Sequence, residues 1–254
     1  MTADAHAANE PRSDTAPVLI VIPAFNEAEC IASVVSEIRA ADFDCLVIDD
    51  GSRDATARLA AAAGARVVLL PINIGVGGAL RTGFRYAVDH GFKCVVQVDA
   101  DGPHLAVHVR DLLDAMHRQD LDQHEFDMVI GSRFADGGTH PMSPLRRWCI
   151  RMLSAVIARA TKLRITDPTS GFRAIRSPLL EAFAADFPAH YLGDTFEAVL
   201  VAGRRGYRVG EIAVVMRERQ GGRPSADLYA SGQALLRACT VLFTGTTFDL
   251  PPRP

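Results

Sequence analysis

The feature that most constrains the fold is a regular alternation of apolar runs and helical patterns between Val18 and about Ile130. Each run has the length of a strand and is followed by polar turn residues and a stretch with helical spacing. Near-continuous apolar strands joined by helices are typical of a parallel sheet covered on both faces, so an α/β fold is predicted. The predicted strands contain VLIVIP, CLVIDD, ARVVLL, CVVQVD and FDMVIG, and the predicted helices span Glu27 to Ala40, Asp54 to Ala63, Gly77 to His90 and Leu105 to Arg118.

The second half of the chain is less regular. The loop GGTHPMSP precedes a basic amphipathic helix predicted from Leu145 to about Lys162, and no element is assigned to DPTSGFRAIRS. A helix from near Asp194, a strand in YRVGEIAVVM and a helix from about Leu228 to Phe243 follow. We expect a flexible N-terminal tail over residues 1–17 and a single domain over 18–254. The domain divides into a first half, 18–131, a second half, 132–227, and a C-terminal helix and tail, 228–254.

The composition is that of a soluble globular protein, with 48% hydrophobic and 22% charged residues. A formal net charge of -3 argues against general nucleic-acid binding, so a positive site must be local. The five cysteines are widely spaced without a zinc-binding pattern, which predicts reduced core thiols and a cytoplasmic location. No stretch approaches the roughly 20 apolar residues that span a bilayer, although docking on a membrane surface stays open, as does the oligomeric state.

Polar residues collect where the five predicted strands end. The segments PAFNE, DDGSRD, NIGVGG, DADGPH and GSRF each follow one strand. Any one of them has a routine explanation as a turn or a helix cap. Because ligands bind beyond the carboxyl ends of parallel strands, five such loops on one edge predict a single site.

Two carboxylates, Asp99 and Asp101, follow the fourth strand and would project from the same face if that strand continued. Their repulsion would be relieved by a cation, and hard carboxylate oxygens suit Mg²⁺ or Mn²⁺. The alternative is that one aspartate caps the next helix and the other faces solvent.

Basic and Gly-rich segments supply candidate phosphate ligands. Arginine binds phosphate through a planar fork, and several arginines lie in turn or Gly-rich segments, whereas Arg151 and Arg159 are expected on the solvated face of a helix. GVGGALRTG is not a dinucleotide-binding loop because Leu80 stands where the third glycine belongs, which argues against a redox enzyme. The candidate phosphate-binding arginines are Arg81, Arg133, Arg173, Arg217, Arg219 and Arg223.

Taken in order, seven segments resemble those of family 2 glycosyltransferases, and most of all the dolichol-phosphate mannose synthase and polyprenyl-phosphate glycosyltransferase branch. The resemblance covers roughly Val18 to Ser225. It implies a GT-A fold with a Rossmann-like sheet, a nucleotide-sugar donor of the GDP-mannose or UDP-glucose type, Mg²⁺ or Mn²⁺, and inverting transfer of a hexose to a polyprenyl or dolichyl phosphate. The segments are VIPAFNE, VIDDGSRDAT, NIGVGGALRTGF, VQVDADGPH, GSRF, DPTSGFRA and MRERQGGRPS.

The resemblance also assigns roles to residues. The first half would bind the donor and the second half would face the acceptor. Asp99 and Asp101 form the implied DXD metal site, and Arg133 is the implied arginine that meets phosphate at the reaction centre. The implied substrate-binding residues are Pro23, Ala24, Phe25, Glu27, Asp50, Gly51, Arg81, Asp99, Ser170, Arg173 and Arg219, with Asp50 holding the base.

Three points stay open. A hydroxyl acceptor would require a general base, for which Asp194 is the first candidate and Glu197 the second, although both also fit a helix N-terminus, whereas a lipid phosphate needs no base. Relatives commonly read DADxQH, so Pro103 replaces a glutamine and leaves a ligand role to water or His104. The alternatives are therefore transfer to a soluble or glycan hydroxyl and a non-catalytic nucleotide-sugar-binding protein.

Overall fold

The structure is a computed structural model that describes residues 17–101, 106–118, 124–135, 142–187, 194–215 and 249–254, without the side chains of residues 106 and 194. Within these ranges strands and helices alternate along most of the chain. The elements are β1 (Val18–Ala24), α1 (Ile31–Ala40), β2 (Asp44–Asp49), α2 (Thr56–Ala62), β3 (Arg66–Leu69), α3 (Val76–Asp89), β4 (Cys94–Gln97), α4 (Ala106–Met116), β5 (Met128–Ser132), α5 (Pro144–Thr161), β6 (Arg173–Arg176), α6 (Leu179–Ala185), α7 (Asp194–Arg204) and β7 (Val209–Ala213).

The strands form one sheet in the order β3-β2-β1-β4-β6-β5-β7. All neighbouring pairs are parallel except those of β6, which runs antiparallel to both β4 and β5. The α/β fold and the mostly parallel sheet are confirmed. β6 and α6 were not predicted from the sequence. RAIR of β6 is only four residues long and has an arginine at each end, so it shows no strand pattern.

Alternating side chains of the central strands fill two cores, one on each face of the sheet. Leu19 and Val21 of β1 point into the core covered by α3, α5, α6 and α7, whereas Ile20 and Ile22 point into the core covered by α1, α2 and α4. Leu80 is fully buried in the first of these cores. The residue that departs from the dinucleotide-binding pattern therefore packs the helix against the sheet.

The cysteines of the described ranges are buried free thiols, as predicted: Cys30, Cys45, Cys94 and Cys149. Burial raises the pKa of Cys45 and of Cys94 to about 12, so both stay protonated at neutral pH. Cys239 and the predicted helix from Leu228 to Phe243 lie outside the described residues.

The last described segment, residues 249–254, packs beside the amino-terminal end of β5. Leu250 is buried in the core, and the Arg253 guanidinium pairs with the buried carboxylate of Asp127, with 2.7 Å between Nε and Oδ2. Among the helices that the structure describes, none is long and apolar enough to cross a membrane.

Candidate active site

Two loops at the carboxyl ends of β1 and β2 are joined by reciprocal hydrogen bonds. The Asn26 amide donates to Ser52 Oγ at 2.9 Å, and the Arg53 amide donates to Asn26 Oδ1 at 2.9 Å. Asn26 adopts a left-handed conformation with φ 56°, which asparagine tolerates better than most residues. The Glu27 amide adds a bond of 2.8 Å to Thr56 Oγ1. The segments PAFNE and DDGSRD therefore act as one structural unit.

Asp54 reinforces the same pair of loops. Burial raises the pKa of this carboxyl, but hydrogen bonds from the hydroxyl and amide of Thr56 and from the amide of Ala28 outweigh burial, so the pKa is lowered overall. Asp54 is consequently ionised at neutral pH and holds the start of α2 against the β1–α1 loop.

A third loop, between β3 and α3, is tied to the same unit by Asp50. The buried Asp50 carboxylate accepts the amides of Ile74 and Gly75, each at 2.8 Å. Gly51 has φ +74°, and a Cβ atom there would lie 2.9 Å from the backbone of Ile72 and Asn73. Only glycine fits this approach. The structure thus gives Asp50 the task of positioning a loop, and its predicted bond to a base stays a prediction.

The residues predicted to line the nucleoside pocket lie at this end of the sheet. Pro23 and Ala24 are the last residues of β1, Glu27 is half-buried, and Phe25 is 45% exposed at the strand end. The Asp50 amide donates to the Ala24 carbonyl at 2.8 Å, which places Phe25 next to the Asp50 loop. An exposed aromatic ring beside the three loops offers an apolar surface for a planar ligand group.

The two candidate metal ligands follow β4, which ends at Gln97. Asp99 and Asp101 therefore lie beyond the strand, and strand alternation does not place them on one face. Asp99 lies against the segment before β6, where a Cβ atom on Gly171 would be 2.7 Å from Asp99 Oδ1. Burial, followed by the negative charges of Glu27, Glu29 and Asp101, raises the pKa of Cys30, the residue before α1.

The donor chemistry at this point fits a hard divalent cation. Asp99 and Asp101 supply carboxylate oxygens, and Gly171 leaves the space that the Asp99 carboxylate occupies. Over the described ranges, no cluster of three or more His, Cys, Asp or Glu side chains is assembled. Pro103 and His104 lie outside the described residues.

Arg133, after β5, is held by a buried carboxylate. Its Nε and Nη2 donate to Asp167 at 2.6 and 2.7 Å, and Nη2 also donates to Thr169 Oγ1 at 2.9 Å. The Asp167 side chain is fully buried and that of Arg133 is 9% exposed. Burial raises the pKa of Asp167, but the Arg133 guanidinium outweighs it and lowers the pKa. Within the described part of the chain, Arg133 Nη1 makes no hydrogen bond, so this donor is available to a ligand.

Glu211 of β7 holds the segment that carries Asp167. Its carboxylate accepts the amides of Thr166 and Asp167, each at 2.8 Å, and the Thr166 hydroxyl at 2.9 Å. Burial raises the pKa of Glu211 in spite of these bonds. Neither Asp167 nor Glu211 was predicted from the sequence. The signals were a lone glutamate inside the apolar strand VGEIA and the aspartate that begins DPTSGF.

Ser170 and Arg173, both predicted to bind substrate, are 2% exposed and bonded to the protein. Ser170 Oγ donates to the Gly131 carbonyl at 2.6 Å, and the Arg173 guanidinium donates to the carbonyls of Ser170 and Pro168 at 2.7 and 3.1 Å. These bonds shape the segment that contacts Asp99. A direct contact of Ser170 or Arg173 with substrate stays a prediction.

Of the remaining predicted residues, Arg81 and Glu197 have side chains within the described part of the chain. The Arg81 guanidinium of α3 donates to the carbonyl of Ala185 at the end of α6, which joins two helices. Asp194 begins α7, but its side chain lies outside the description, as does Arg219 as a whole. Glu197, the second candidate base, is fully buried within α7.

Comparisons with known proteins agree with this architecture. Residues 19–183 match the family described as Glycosyl transferase family 2. An undecaprenyl-phosphate mannosyltransferase of Micrococcus luteus is 31% identical over 228 residues, which are 86% of this chain and 91% of that protein. A polyprenol monophosphomannose synthase of Mycolicibacterium smegmatis is 31% identical over 220 residues, covering 81% of this chain and 79% of that protein.

Solved structures give the fold. Glucosyl-3-phosphoglycerate synthase from Mycobacterium tuberculosis, in complex with Mg²⁺ and uridine diphosphate, matches with a TM-score of 0.67 and 22% identity over 92% of this chain and 80% of that chain. The same enzyme with Mn²⁺, uridine diphosphate and phosphoglyceric acid matches with a TM-score of 0.65. The predicted GT-A fold is confirmed by this likeness.

Proposed function

Since the chain belongs to Glycosyl transferase family 2 and is a glycosyltransferase, we propose that it transfers a hexose from a nucleotide sugar to a polyprenyl phosphate with inversion. The observation that carries the proposal is the arrangement at one edge of the sheet. Asp99 lies against Gly171, and the same short segment contains Asp167, which holds Arg133. A carboxylate pair for a cation and a fixed cationic donor are what a diphosphate leaving group requires.

The donor would bind across the three connected loops. Phe25 offers a surface for the base, and the loops that the Asp50 carboxylate connects lie beside it. The names of the two relatives from Micrococcus luteus and Mycolicibacterium smegmatis support mannose as the sugar. The uridine diphosphate complexes of the structural relatives support a nucleotide donor. Both a GDP and a UDP donor are consistent with an aspartate and backbone groups at this position.

Asp99 and Asp101 would hold the metal, Mg²⁺ or Mn²⁺. When bound, the cation would neutralise charge that develops on the nucleoside diphosphate as the glycosidic bond breaks. The chain's own contribution is Arg133, whose Nε and Nη2 are held by Asp167. Its Nη1 would donate to a phosphate oxygen of the donor. Because Asp167 fixes the guanidinium before substrate arrives, little reorganisation is needed during the reaction.

The acceptor decides whether a base is needed. A polyprenyl phosphate is already ionised at neutral pH, so its oxygen can attack the anomeric carbon without proton removal, and Asp194 is then dispensable for chemistry. The names of the curated relatives support this acceptor. We also propose a cytoplasmic location, on the basis of the cysteine pattern of the sequence.

The experiment is a transfer assay with labelled GDP-mannose and UDP-glucose, a short-chain polyprenyl phosphate and Mn²⁺ or Mg²⁺. Transfer should be abolished by EDTA and reduced at least about 100-fold by Asp101→Ala, because a direct ligand is lost. The matched control is Asp89→Ala, an exposed aspartate at the end of α3, which should keep full activity. Donor binding without turnover for any acceptor would instead identify a non-catalytic binding protein, and transfer only to hydroxyl acceptors would overturn the lipid phosphate.

A further inference from the structure

Helix α5 presents a second apolar face that is not part of the core. One face of the helix is buried through Cys149, Ile150, Leu153 and Ile157. On another face Leu145 is 46%, Trp148 is 51% and Met152 is 44% exposed. Their spacing of three and four residues aligns them along one side of the helix. Three large apolar side chains in a row on a surface helix indicate a contact site, unlike a single exposed leucine.

The same helix is strongly cationic. No Asp or Glu occurs from Pro144 to Arg164, whereas six basic residues do. Arg147 and Arg151 are exposed, and their helical positions lie directly beside the Leu145, Trp148 and Met152 stripe. Apolar side chains that include a tryptophan, bordered by arginines, are typical of a helix that rests in the plane of a membrane interface. The basic residues are Arg146, Arg147, Arg151, Arg159, Lys162 and Arg164.

The helix lies beside the Arg133 site. Ser154 Oγ, in its middle, donates to the Thr166 carbonyl at 3.2 Å. Thr166 in turn bonds to Glu211 and contacts Ser132 Oγ through its hydroxyl at 3.0 Å. Ser132 precedes Arg133 in the chain. Helix α5 therefore contacts the segment next to Arg133, the residue proposed to donate a hydrogen bond to phosphate.

We propose that the exposed face of α5, formed by Leu145, Arg147, Trp148, Arg151 and Met152, docks the protein on an anionic membrane surface. Apolar burial and attraction to negative headgroups act together there. A second copy is disfavoured as the occupant, because a symmetric contact would bring the arginines of both copies together. Docking itself does not depend on the proposed function. Its role does: if the proposed function holds, docking would bring the Arg133 site close to the phosphate of a lipid in the membrane.

Trp148 is the only tryptophan of the chain, so its fluorescence reports on this face without any substitution. With the full chain, vesicles of phosphatidylcholine and phosphatidylglycerol should shift its emission to shorter wavelength, and brominated lipids should quench it. Binding to pure phosphatidylcholine vesicles, measured by the same emission shift, should be at least about 10-fold weaker. On anionic vesicles the shift should become smaller with added salt. Sedimentation with anionic vesicles without any shift or quenching of Trp148 would overturn the proposal.

Two double variants separate the apolar and the cationic contributions. Leu145→Gln with Met152→Gln should weaken vesicle binding at least about 10-fold while retaining the fluorophore. Arg147→Gln with Arg151→Gln should weaken it roughly 30-fold at low salt. The matched control is Arg58→Gln with Arg85→Gln, which removes the same charge from exposed positions on α2 and α3. An equal loss in this control would mean unspecific attraction and would contradict a docking face.

Activity measurements distinguish this proposal from the proposed function. Both α5 variants should keep wild-type transfer to a short-chain polyprenyl phosphate in solution and lose transfer to the same phosphate on a long chain in vesicles. Equal activity on both acceptors would overturn docking. Vesicle binding by the wild type that the variants lose, without transfer by any protein, would refute the proposed function and leave docking intact. A dimer in analytical ultracentrifugation that Leu145→Gln with Met152→Gln dissociates would assign the face to a second copy instead.

Discussion

Gly171 shows how one absent side chain shapes the site. A Cβ atom there would lie 2.7 Å from Asp99 Oδ1, so Gly171→Ala should displace the carboxylate. We expect kcat/KM to fall about 10- to 100-fold and the Mn²⁺ concentration for half-maximal activity to rise. The measurement is a metal titration of transfer activity. Gly203→Ala is the control, because its Cβ would meet Leu163 and Thr161 away from the site and should lower stability alone.

Asp167 links pH to stability at the residue scale. The folded state lowers its pKa, so its charge contributes stability above the ordinary carboxyl range near 4, and this contribution is lost as the pH falls through the lowered pKa. Asp167→Asn should cost about 2 to 4 kcal/mol at pH 7, because buried Arg133 loses its charged partner. In urea unfolding, the difference in the free energy of unfolding between wild type and Asp167→Asn should become smaller as the pH falls towards 3. Asp44→Asn, at an exposed ion pair, should give a curve parallel to wild type.

At the scale of elements, β7 positions the segment before β6 through Glu211. Glu211→Gln replaces one accepting oxygen by a donor and disturbs the amides of Thr166 and Asp167. The expected result is a fall of kcat of about 10-fold with little change in the donor KM, because Arg133 moves relative to the leaving group. The control is Glu125→Gln. Its exposed carboxylate pairs with Arg176, which lies beside the amino-terminal ends of β4 and β5, away from the candidate site. An unchanged kcat would mean that Glu211 has a structural role only.

Glu211 also predicts a pH effect of opposite sign to that of Asp167. Burial raises its folded pKa, so the folded state retains this proton to higher pH, and the stability associated with it is lost as the pH rises through that pKa. Glu211→Gln should therefore reduce the loss of stability between the ordinary glutamate range and neutral pH. Urea unfolding of wild type and variant at pH 4.5 and 7, with Glu125→Gln alongside, provides the measurement.

At the scale of the whole molecule, residues 249–254 stabilise the amino-terminal end of β5, opposite to the candidate site. Arg253 pairs with Asp127, which also accepts the Arg208 amide and is 1% exposed. Arg253→Gln should lower the free energy of unfolding by about 2 to 3 kcal/mol, because a buried carboxylate loses its cation. Transfer activity per folded molecule should not change. Arg205→Gln breaks an exposed pair with Asp249 and should cost less than about 1 kcal/mol in the same urea titration.

Those parts of the fold that depend on local periodicity could be predicted from the sequence alone. The apolar runs of β1, β2, β4 and β5 and the helical spacing between them are properties of neighbouring residues, and the structure confirms them. The edge where the polar loops meet follows from this pattern, because parallel strands end on one side. Leu80 likewise excluded a dinucleotide loop and is a core residue.

Which groups meet at the carboxyl ends of the strands depends on long-range contacts in the folded chain. β6 enters the sheet antiparallel between β4 and β5, Asp167 pairs with Arg133 from 34 residues away, and Glu211 bonds to Asp167 from 44 residues away. No local pattern encodes such pairings, because they depend on burial of charge after the chain has folded. A buried carboxylate is stable only with a partner, and the folded chain determines which partner is within reach.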